Sequence, residues 1–284
     1  MRHRFVRING LGVAYLEAGA GPLVVVLHGF PDTAHSFEDL LDRLTSAGFH
    51  AVAPFLRGYP PTELPADRDY TLRALAGDLI GLVDALGAPK AAVVGHDWGS
   101  VIAQVAVKLA PDRFDRVVLA GFPHLRSFLT MTPRQLRRSI YMAQFQLPSW
   151  PERRLPRDDF SWITDLIRRW SPNWEFEPTE LTAIKDSLSG PGRLAAALAY
   201  YRAVPGQLLR PSEFRLAVAP IPVPARVIFG TGDGCIGAEI FRRPIGTFAH
   251  GSDHREITGA GHFIHRERPA WFAEQVIEFL SQTP

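Results

Sequence analysis

A glycine-flanked turn occurs at Val93-Val94-Gly95-His96-Asp97-Trp98-Gly99-Ser100. An apolar run over residues 91–94 precedes the turn, and helical spacing over residues 101–110 follows it. Glycines on both sides of Asp97 allow the strand and helix backbones to come close together. Turns of this kind usually present a Ser at the apex, and here Asp97 takes that position. For an isolated Asp, a helix N-cap is the simpler interpretation, but the partners described below favour a functional one.

Strand and helix patterns alternate along the N-terminal part of the chain. The continuous apolar run at 22–27 is typical of a central strand that is covered on both faces. Asn9-Gly10 marks a hairpin between two short strands. The predicted strands are 4–8, 13–17, 22–27, 50–54, 91–94 and 117–120, and the predicted helices are 37–44, 72–86 and 101–110. This alternation predicts an α/β fold with a mostly parallel, doubly wound sheet.

The pattern changes between residues 123 and 215, where the sequence contains no convincing strand. Helices are predicted at 133–146, 158–170, 179–188 and 192–203, and four of the six Trp residues fall in this region. Strand patterns return at 225–229 and near 253–258, and a final helix is predicted at 269–281. We therefore predict a core domain formed by residues 1–122 and 216–284, with an inserted helical lid at residues 123–215.

The composition is that of an ordinary globular protein, with 284 residues, 46% hydrophobic and 21% charged. The formal net charge of +2 does not indicate a nucleic-acid partner. No apolar run approaches the roughly 18 residues of a membrane span, and no signal peptide is expected. The single cysteine, Cys235, excludes an internal disulfide and suits a reducing, cytoplasmic location. The ten His residues show no metal-binding motif, so neither a metal nor a cofactor is expected.

The charge is unevenly distributed along the chain. Residues 123–215 carry 14 Lys/Arg and 9 Asp/Glu, a net charge of +5, whereas the remainder carries a net charge of −3. A solvated, Arg-rich helical surface is a simpler explanation of this excess than an anionic ligand.

Two glycine-rich segments follow predicted strands in the C-terminal part of the chain. The first is Phe229-Gly230-Thr231-Gly232-Asp233-Gly234, and the second is Gly259-Ala260-Gly261-His262-Phe263. Both lie where the carboxyl ends of the strands place ligands in α/β sheets. Alone, Asp233 could satisfy turn amides, and an isolated loop histidine is more often a surface residue. The chain order Asp97, Asp233, His262 is nevertheless the order of nucleophile, acid and histidine in the α/β-hydrolase fold, with Asp in place of Ser.

The sequence resembles the soluble epoxide hydrolases of the α/β-hydrolase superfamily. The motifs that carry this resemblance are His28-Gly29-Phe30-Pro31, Gly95-His96-Asp97-Trp98-Gly99 and Gly261-His262-Phe263. The similarity covers nearly the whole chain. One stretch differs, because Phe55-Leu56-Arg57-Gly58-Tyr59-Pro60 stands where the family often has Asp-x-Arg-Gly-Tyr-Gly. The shape of the pocket and the subfamily therefore stay open.

The resemblance implies a mechanism in which Asp97 is the nucleophile. An unperturbed Asp has a pKa of about 3.9, so its carboxylate is ionised at neutral pH and can attack an epoxide carbon to form an alkyl-enzyme ester. His262, oriented by Asp233, would then activate the water that hydrolyses the ester. The backbone N–H groups of Phe30 and Trp98 are the expected oxyanion hole, and both residues are expected to contact substrate. The resemblance also implies a cis peptide bond between Phe30 and Pro31.

The resemblance extends to two tyrosines of the predicted lid. Tyr141 stands four residues before Phe145-Gln146, and Tyr201 directly precedes Arg202, as in the family. With an ordinary pKa of about 10, a tyrosine hydroxyl stays protonated and can donate to the epoxide oxygen as the ring opens. Tyr200 is the alternative to Tyr201, and only one of two adjacent helical residues should face the cleft.

Two alternative functions stay open at this level. The first is a haloalkane dehalogenase-like enzyme, in which the indole of Trp98 and a second donor from the lid would bind halide. The second is a non-catalytic small-molecule receptor, which should lack part of the triad or oxyanion signature. Water and a small apolar, aromatic epoxide are the expected partners, with a homodimer left open.

Overall fold

One eight-stranded sheet runs through the protein, whose computed structural model describes residues 1–129, 131–243 and 247–282. The strands are β1 (Arg2–Ile8), β2 (Leu11–Ala18), β3 (Leu23–Leu27), β4 (His50–Pro54), β5 (Ala91–His96), β6 (Phe114–Ala120), β7 (Ala225–Gly230) and β8 (Ser252–Ile257). Their order across the sheet is β1-β2-β4-β3-β5-β6-β7-β8. The β1–β2 and β2–β4 pairs are antiparallel and the other five are parallel. The prediction of an α/β fold with a mostly parallel sheet is confirmed.

Helices cover both faces of the sheet, as the continuous apolar strands require. On one face, Val25 and Leu27 of β3 belong to the same core as α2 (Leu72–Ala85) and α3 (Trp98–Leu109). On the other face, Val24 and Val26 pack with α1 (Glu38–Ser46) and the C-terminal helix Pro269–Leu280. Because the central strands run parallel, their carboxyl ends meet at one edge of the core.

A long helical segment connects β6 to β7, and we call it the inserted segment. Its helices are α4 (Leu125–Phe128), α5 (Pro133–Arg138), α6 (Ile140–Phe145), α7 (Trp150–Arg154), α8 (Arg157–Trp170), α9 (Thr182–Ser189), α10 (Arg193–Leu208) and α11 (Pro211–Val218). No strand occurs in the described residues of this segment. The division of the chain into a core and a separate lid at 123–215 stays a prediction.

The helix boundaries differ from the predicted ones in places. The helix predicted at 133–146 is two helices, because the backbone at Ser139 leaves the helical region with ψ at 8°. The hydroxyl of Ser139 accepts a hydrogen bond from the side-chain amide of Gln135 at 3.0 Å, across the end of the first helix. In the part of the chain that is described, no helix is both long and apolar enough to span a bilayer.

Candidate active site

Asp97 lies at the turn between β5 and α3 in an unusual backbone conformation. Its φ of 52° and ψ of −115° fall outside the regions that residues with a side chain usually adopt. A Cβ atom on Gly95 or Gly99 would lie under 3.0 Å from neighbouring backbone atoms, so the close approach of β5, β3 and α3 requires glycine at both positions. Asp97 occupies the N-cap position of α3, but its side chain makes no capping hydrogen bond. The carboxylate is therefore presented at the apex of the turn.

The imidazole of His262 lies between two carboxylates. Its Nδ1–H donates to Oδ2 of Asp233 at 2.9 Å, and its Nε2 lies 3.5 Å from Oδ2 of Asp97. The other oxygen of Asp233 accepts the backbone N–H groups of Cys235 and Ile236 at 2.6 and 2.8 Å. All three charged side chains are almost completely buried. The structure thus brings together the three residues that the chain order singles out, and it fixes the orientation of the imidazole.

The surroundings of His262 favour its protonated form. Burial alone would lower the pKa of the imidazole, but the charge and hydrogen bond of Asp233, together with those of Asp97, outweigh burial and raise the pKa to about 10. Asp97 is therefore one of two groups that hold a proton on His262. Any reaction that neutralises Asp97 lowers the pKa of His262, so the imidazole can lose its proton and become available as a base.

The backbone after β3 contacts Asp97 directly. The N–H of Phe30 donates to Oδ1 of Asp97 at 2.8 Å. The Phe30–Pro31 peptide bond is cis, as expected from the resemblance. Among the described residues, no hydrogen bond joins the Trp98 N–H to the Asp97 carboxylate. Of the two expected oxyanion-hole donors, Phe30 is therefore the one that already contacts Asp97.

Two buried tyrosines of the inserted segment line one cavity with Asp97. These are Tyr141 of α6 and Tyr201 of α10, whose ring centroids are 6.0 Å apart. Burial, with the charge of Asp97 as a further cause, raises the pKa of both hydroxyls well above the usual value, so both stay protonated. The hydroxyl of Tyr201 makes no hydrogen bond in the described structure. The nearby Trp98 side chain lowers the pKa of this hydroxyl, but burial, which raises the pKa, outweighs it.

The neighbouring Tyr200 points away from this cavity. Its hydroxyl donates to the carbonyl oxygen of Arg57 at 2.8 Å, and the side chain is 1% exposed. The two adjacent tyrosines of α10 therefore have different surroundings, since Tyr201 faces Asp97 and Tyr200 packs on the loop after β4.

The cavity itself is almost wholly apolar. The space inside it that the centre of a water molecule can reach is about 80 Å³. Asp97, Tyr141, Tyr201 and Ser139 provide polar groups to its wall. Most of the remaining wall is made of aliphatic and aromatic side chains, namely Leu72, Trp98, Val101, Phe122, Leu125, Phe128, Leu129, Met142, Val204, Leu208, Ala217 and Ile236. Such a cavity suits a small apolar ligand with one polar reactive group.

Sequence analysis did not identify the contact between the end of α8 and the catalytic loops. The carbonyl oxygen of Trp170 accepts the N–H of His262 and the N–H of Gly234, both at 3.0 Å. The next residue, Ser171, accepts the N–H of Phe263 at 3.0 Å and donates to Glu267 at 2.6 Å. These contacts use backbone atoms and a small hydroxyl, so no motif marks them in the sequence.

The contact of Tyr141 with Cys235 was also not foreseen. The Tyr141 hydroxyl lies 3.6 Å from Sγ of Cys235, within hydrogen-bonding distance for sulfur. Burial, with Asp233 and Asp97 as further causes, raises the pKa of the thiol well above its usual value, so Cys235 is a neutral thiol. The single cysteine of the chain therefore contacts one of the two cavity tyrosines.

Two groups of side chains place potential metal-ligating atoms close together in the described structure. The first combines Asp32, His96 and His265, and the second combines Asp233, Cys235 and His262. In the first, His265 hydrogen-bonds to Asp32 at 3.0 Å, and Nε2 of His96 donates to the carbonyl oxygen of His262 at 2.9 Å. Hydrogen bonds to protein groups account for both arrangements.

Comparison with known proteins gives consistent results. Residues 22–269 match the model of the alpha/beta hydrolase fold family. An AB hydrolase superfamily protein of Bacillus subtilis is 31% identical, over 98% of this chain and 97% of the relative. Epoxide hydrolase 3 of Siraitia grosvenorii is 30% identical over 99% of both chains. The solved structure of an epoxide hydrolase from an endophytic Streptomyces superposes with a TM-score of 0.82 at 28% identity, over 98% of this chain and 95% of that one.

The family match covers most of the chain, and the solved structure superposes over 98% of it. The chain belongs to the α/β-hydrolase superfamily and, within it, to the epoxide hydrolase family.

Proposed function

We propose that this enzyme opens an epoxide to a vicinal diol through an alkyl-enzyme ester on Asp97. One observation carries the proposal: a carboxylate, at the apex of a strained turn, shares an apolar cavity with the two tyrosines Tyr141 and Tyr201. A carboxylate can attack an sp³ carbon, and a hydroxyl pair can stabilise the oxygen that leaves it. The cavity thus contains the two groups that ring opening needs.

In the first half-reaction, an oxygen of Asp97 forms a bond to one epoxide carbon and the C–O bond of the ring breaks. The electron pair of that bond goes to the epoxide oxygen, which accepts hydrogen bonds and then a proton from the tyrosine pair. His262 holds a proton in the resting enzyme, and this proton restores the tyrosine. The products of the step are a hydroxy-ester, in which the Asp97 side chain is uncharged, and a neutral His262.

In the second half-reaction, the neutral imidazole takes a proton from water and the hydroxide adds to Cγ of Asp97. The Phe30 N–H, which lies 2.8 Å from Oδ1, is placed to stabilise the oxyanion. Collapse breaks the bond between Cγ and the alkyl oxygen, and the diol leaves with one proton of the water. The other proton stays on His262, so the resting charges are restored.

The character of the cavity wall indicates the class of substrate. Its aliphatic and aromatic side chains suit a small apolar epoxide with an aromatic substituent. Residues Phe30 and Trp98 flank Asp97 and would contact the reacting end of this substrate. A cytoplasmic location is part of the proposal, because Cys235 is a single, unpaired thiol. The homodimer stays an untested prediction.

The cavity gives less support to the dehalogenase alternative. A halide site needs two donors, and among the described residues Trp98 is the only tryptophan or asparagine that lines the cavity. The receptor alternative requires a damaged triad, whereas Asp97, Asp233 and His262 are hydrogen-bonded or close together. The epoxide mechanism accounts for more of the observed groups.

A single turnover in ¹⁸O-labelled water, with enzyme in excess over styrene oxide, tests the ester mechanism. Water attacks Cγ of Asp97, so the peptide that contains Asp97 should gain label and the diol should not. The peptide that contains Asp233 is the internal control and should stay unlabelled. Label in the diol and none on Asp97 would show direct attack by water and would refute the proposal.

A further inference from the structure

Large apolar side chains are exposed on the outside of the inserted segment. Of the ten that are exposed in the described part of the chain, seven lie between residues 129 and 214. Four of them follow one another along α5, α6 and the start of α7: Leu136, Ile140, Leu147 and Trp150. Leu136 and Ile140 are each more than half exposed, at 56% and 54%. Contiguous exposed apolar surface of this kind usually marks a site of association.

The spacing of these residues places them on one side of the helices. Leu136, Ile140, Ala143 and Leu147 recur at intervals of three and four residues, and all are exposed. The opposite side of the same helices contributes Ser139, Tyr141 and Met142 to the catalytic cavity or its rim. One pair of short helices thus has a cavity side and an apolar outer side.

The apolar residues are surrounded by arginines. Residues 125–157 contain seven arginines and one acidic residue, Glu152, which pairs with Arg202. Arg134, Arg137 and Arg153 are exposed and form no ion pair with any described residue. A solvated Arg-rich surface accounts for the charge alone, but it does not account for the exposed leucine, isoleucine and tryptophan among these arginines. We call this surface the basic apolar face, defined by Arg134, Leu136, Arg137, Ile140, Leu147, Trp150 and Arg153.

We propose that the basic apolar face docks on the surface of an anionic lipid bilayer. Arginines with interspersed Leu, Ile and Trp are the combination that lies in a membrane interface, where apolar side chains enter the acyl boundary and cations meet lipid phosphate. The face would lie on the bilayer, since the described helices are too short or too polar to cross it. A second copy of this chain would bring the same excess of arginines against itself, which disfavours a symmetric contact.

The position of the cavity mouth fits this orientation. Leu129 lines the cavity and is 44% exposed, and Ser139, which stands between Leu136 and Ile140 of the face in the sequence, lines the cavity as well. Apolar small molecules partition into the bilayer. Docking through this face would place the mouth of the cavity at the interface where such molecules are concentrated.

Vesicle co-sedimentation without any substrate tests the proposal independently of the catalytic function. The vesicles are pure phosphatidylcholine, or an equal mixture of phosphatidylcholine and phosphatidylglycerol. Wild type should bind the anionic vesicles only, and added salt should weaken binding. Arg134→Gln/Arg137→Gln should lower the partition coefficient roughly 10- to 30-fold, and Leu136→Ser/Ile140→Ser at least about 10-fold.

Two double variants away from the face are the matched controls. Arg2→Gln/Lys90→Gln removes the same charge, and Phe5→Ser/Leu64→Ser removes a similar exposed apolar area. Both should bind like wild type, and thermal melting should show that every variant is folded. Failure of wild type to bind anionic vesicles at low salt would overturn the proposal, and so would an equal loss in the controls. A wild-type dimer that Leu136→Ser/Ile140→Ser converts to a monomer would show instead that a second copy covers this face.

Discussion

The backbone N–H of His262 donates to the carbonyl oxygen of Trp170 at 3.0 Å. Trp170 is the last residue of α8, and the same oxygen accepts the N–H of Gly234, next to Asp233. The end of one helix of the inserted segment therefore holds both loops that carry the acid–histidine pair. The inserted segment supports the proposed second half-reaction as well as forming the wall of the cavity.

This contact predicts that Gly261→Ala is damaging. A Cβ atom at this position would lie under 3.0 Å from backbone atoms of Trp170 and Ser171, so the loop and the helix end must separate. Such overpacking costs about 1–3 kcal/mol of unfolding free energy, and a shift of His262 by about 1 Å can cost about 10²-fold in rate. Gly206→Ala, in the open last turns of α10, is the control; it should leave the rate unchanged and raise the unfolding free energy by at most about 1 kcal/mol. Wild-type turnover by Gly261→Ala would contradict a positioning role for this contact.

His262→Gln should separate the two half-reactions. In the proposed first step His262 only supplies the proton that restores the tyrosine, which water in the cavity can replace, whereas the second step needs a base to activate water. We expect the variant to gain the mass of one epoxide molecule per enzyme and then to release diol very slowly. Intact-protein mass spectrometry measures this directly. The double variant Asp97→Asn/His262→Gln should gain no mass, and turnover of His262→Gln at the wild-type rate would refute the assignment.

The titration of His262 should depend on the charge of Asp97. The pKa of about 10 lies above the ordinary 6.5, so the imidazole keeps its proton at neutral pH. Asp97→Asn removes one of the two carboxylates that raise this pKa, so the pKa should fall. Because the folded state binds this proton more tightly, the stability it contributes is fully present below pH 6.5 and is lost as the pH rises towards 10. This loss of stability with rising pH should be smaller in Asp97→Asn.

Nitrogen-15 NMR titration of the histidine side chains measures both proteins under the same conditions. His254 lies exposed on the edge strand β8, and its lowered pKa has partial desolvation as its main cause and no contribution from Asp97. It should titrate identically in wild type and Asp97→Asn. An unchanged pKa of His262 would show that Asp97 does not control the imidazole, and the proposed alternation between proton donor and base would fail.

Cys235 should assist ring opening by orienting the Tyr141 hydroxyl, even though the thiol also raises the pKa of that hydroxyl. The thiol lies 3.6 Å from the tyrosine hydroxyl, and a net hydrogen bond is worth about 1 kcal/mol, or about fivefold in rate. Cys235→Ala keeps the backbone N–H that holds Asp233 and should slow alkylation by about that factor, with ester hydrolysis unchanged. The effect should vanish in a Tyr141→Phe background, as a double-mutant cycle can test. Equal slowing of alkylation and ester hydrolysis would show that Cys235 only supports the local structure.

Local sequence signals were sufficient to predict the sheet and the three side chains that meet at its edge, Asp97, Asp233 and His262. Asp97 and Asp233 each follow a buried strand and His262 follows the edge strand β8, and parallel strands deliver their carboxyl ends to one edge. Glycine at positions 95 and 99 marks the close approach of strand and helix. These features depend on residues near each other in the chain, so their patterns remain visible without a structure.

The contacts of the inserted segment could not be predicted in the same way. Trp170 acts through its carbonyl oxygen, which every residue has. Tyr200 and Tyr201 differ in role because the Arg57 carbonyl happens to accept one of their hydroxyls, and this depends on how α10 packs over the loop after β4. The exposed stripe from Leu136 to Leu147 has the same helical spacing as a buried face, so the sequence alone does not reveal its exposure.

The tyrosines distinguish the two enzyme functions that the sequence left open. In ring opening, the costly event is the charge that develops on oxygen, and removal of one preorganised donor typically costs roughly 10²–10³ in rate. Tyr141→Phe and Tyr201→Phe should therefore each slow alkylation by styrene oxide strongly. Tyr200→Phe is the matched control from the adjacent position of α10, and it should leave alkylation nearly unchanged because its hydroxyl is bound to the Arg57 carbonyl.

A bromoalkane provides the complementary measurement, because bromide leaves as an anion that needs no proton. A dehalogenase should tolerate loss of both tyrosine hydroxyls and should depend on the indole of Trp98. Rapid-mixing measurement of alkylation, with both substrates on wild type, Tyr141→Phe, Tyr201→Phe and Trp98→Phe, separates the two chemistries. We expect fast alkylation by the epoxide and a strong dependence on the tyrosines, since Tyr141 and Tyr201 line the cavity with Asp97. Rapid bromide release that survives both tyrosine changes and disappears in Trp98→Phe would instead establish dehalogenation as the reaction of this site.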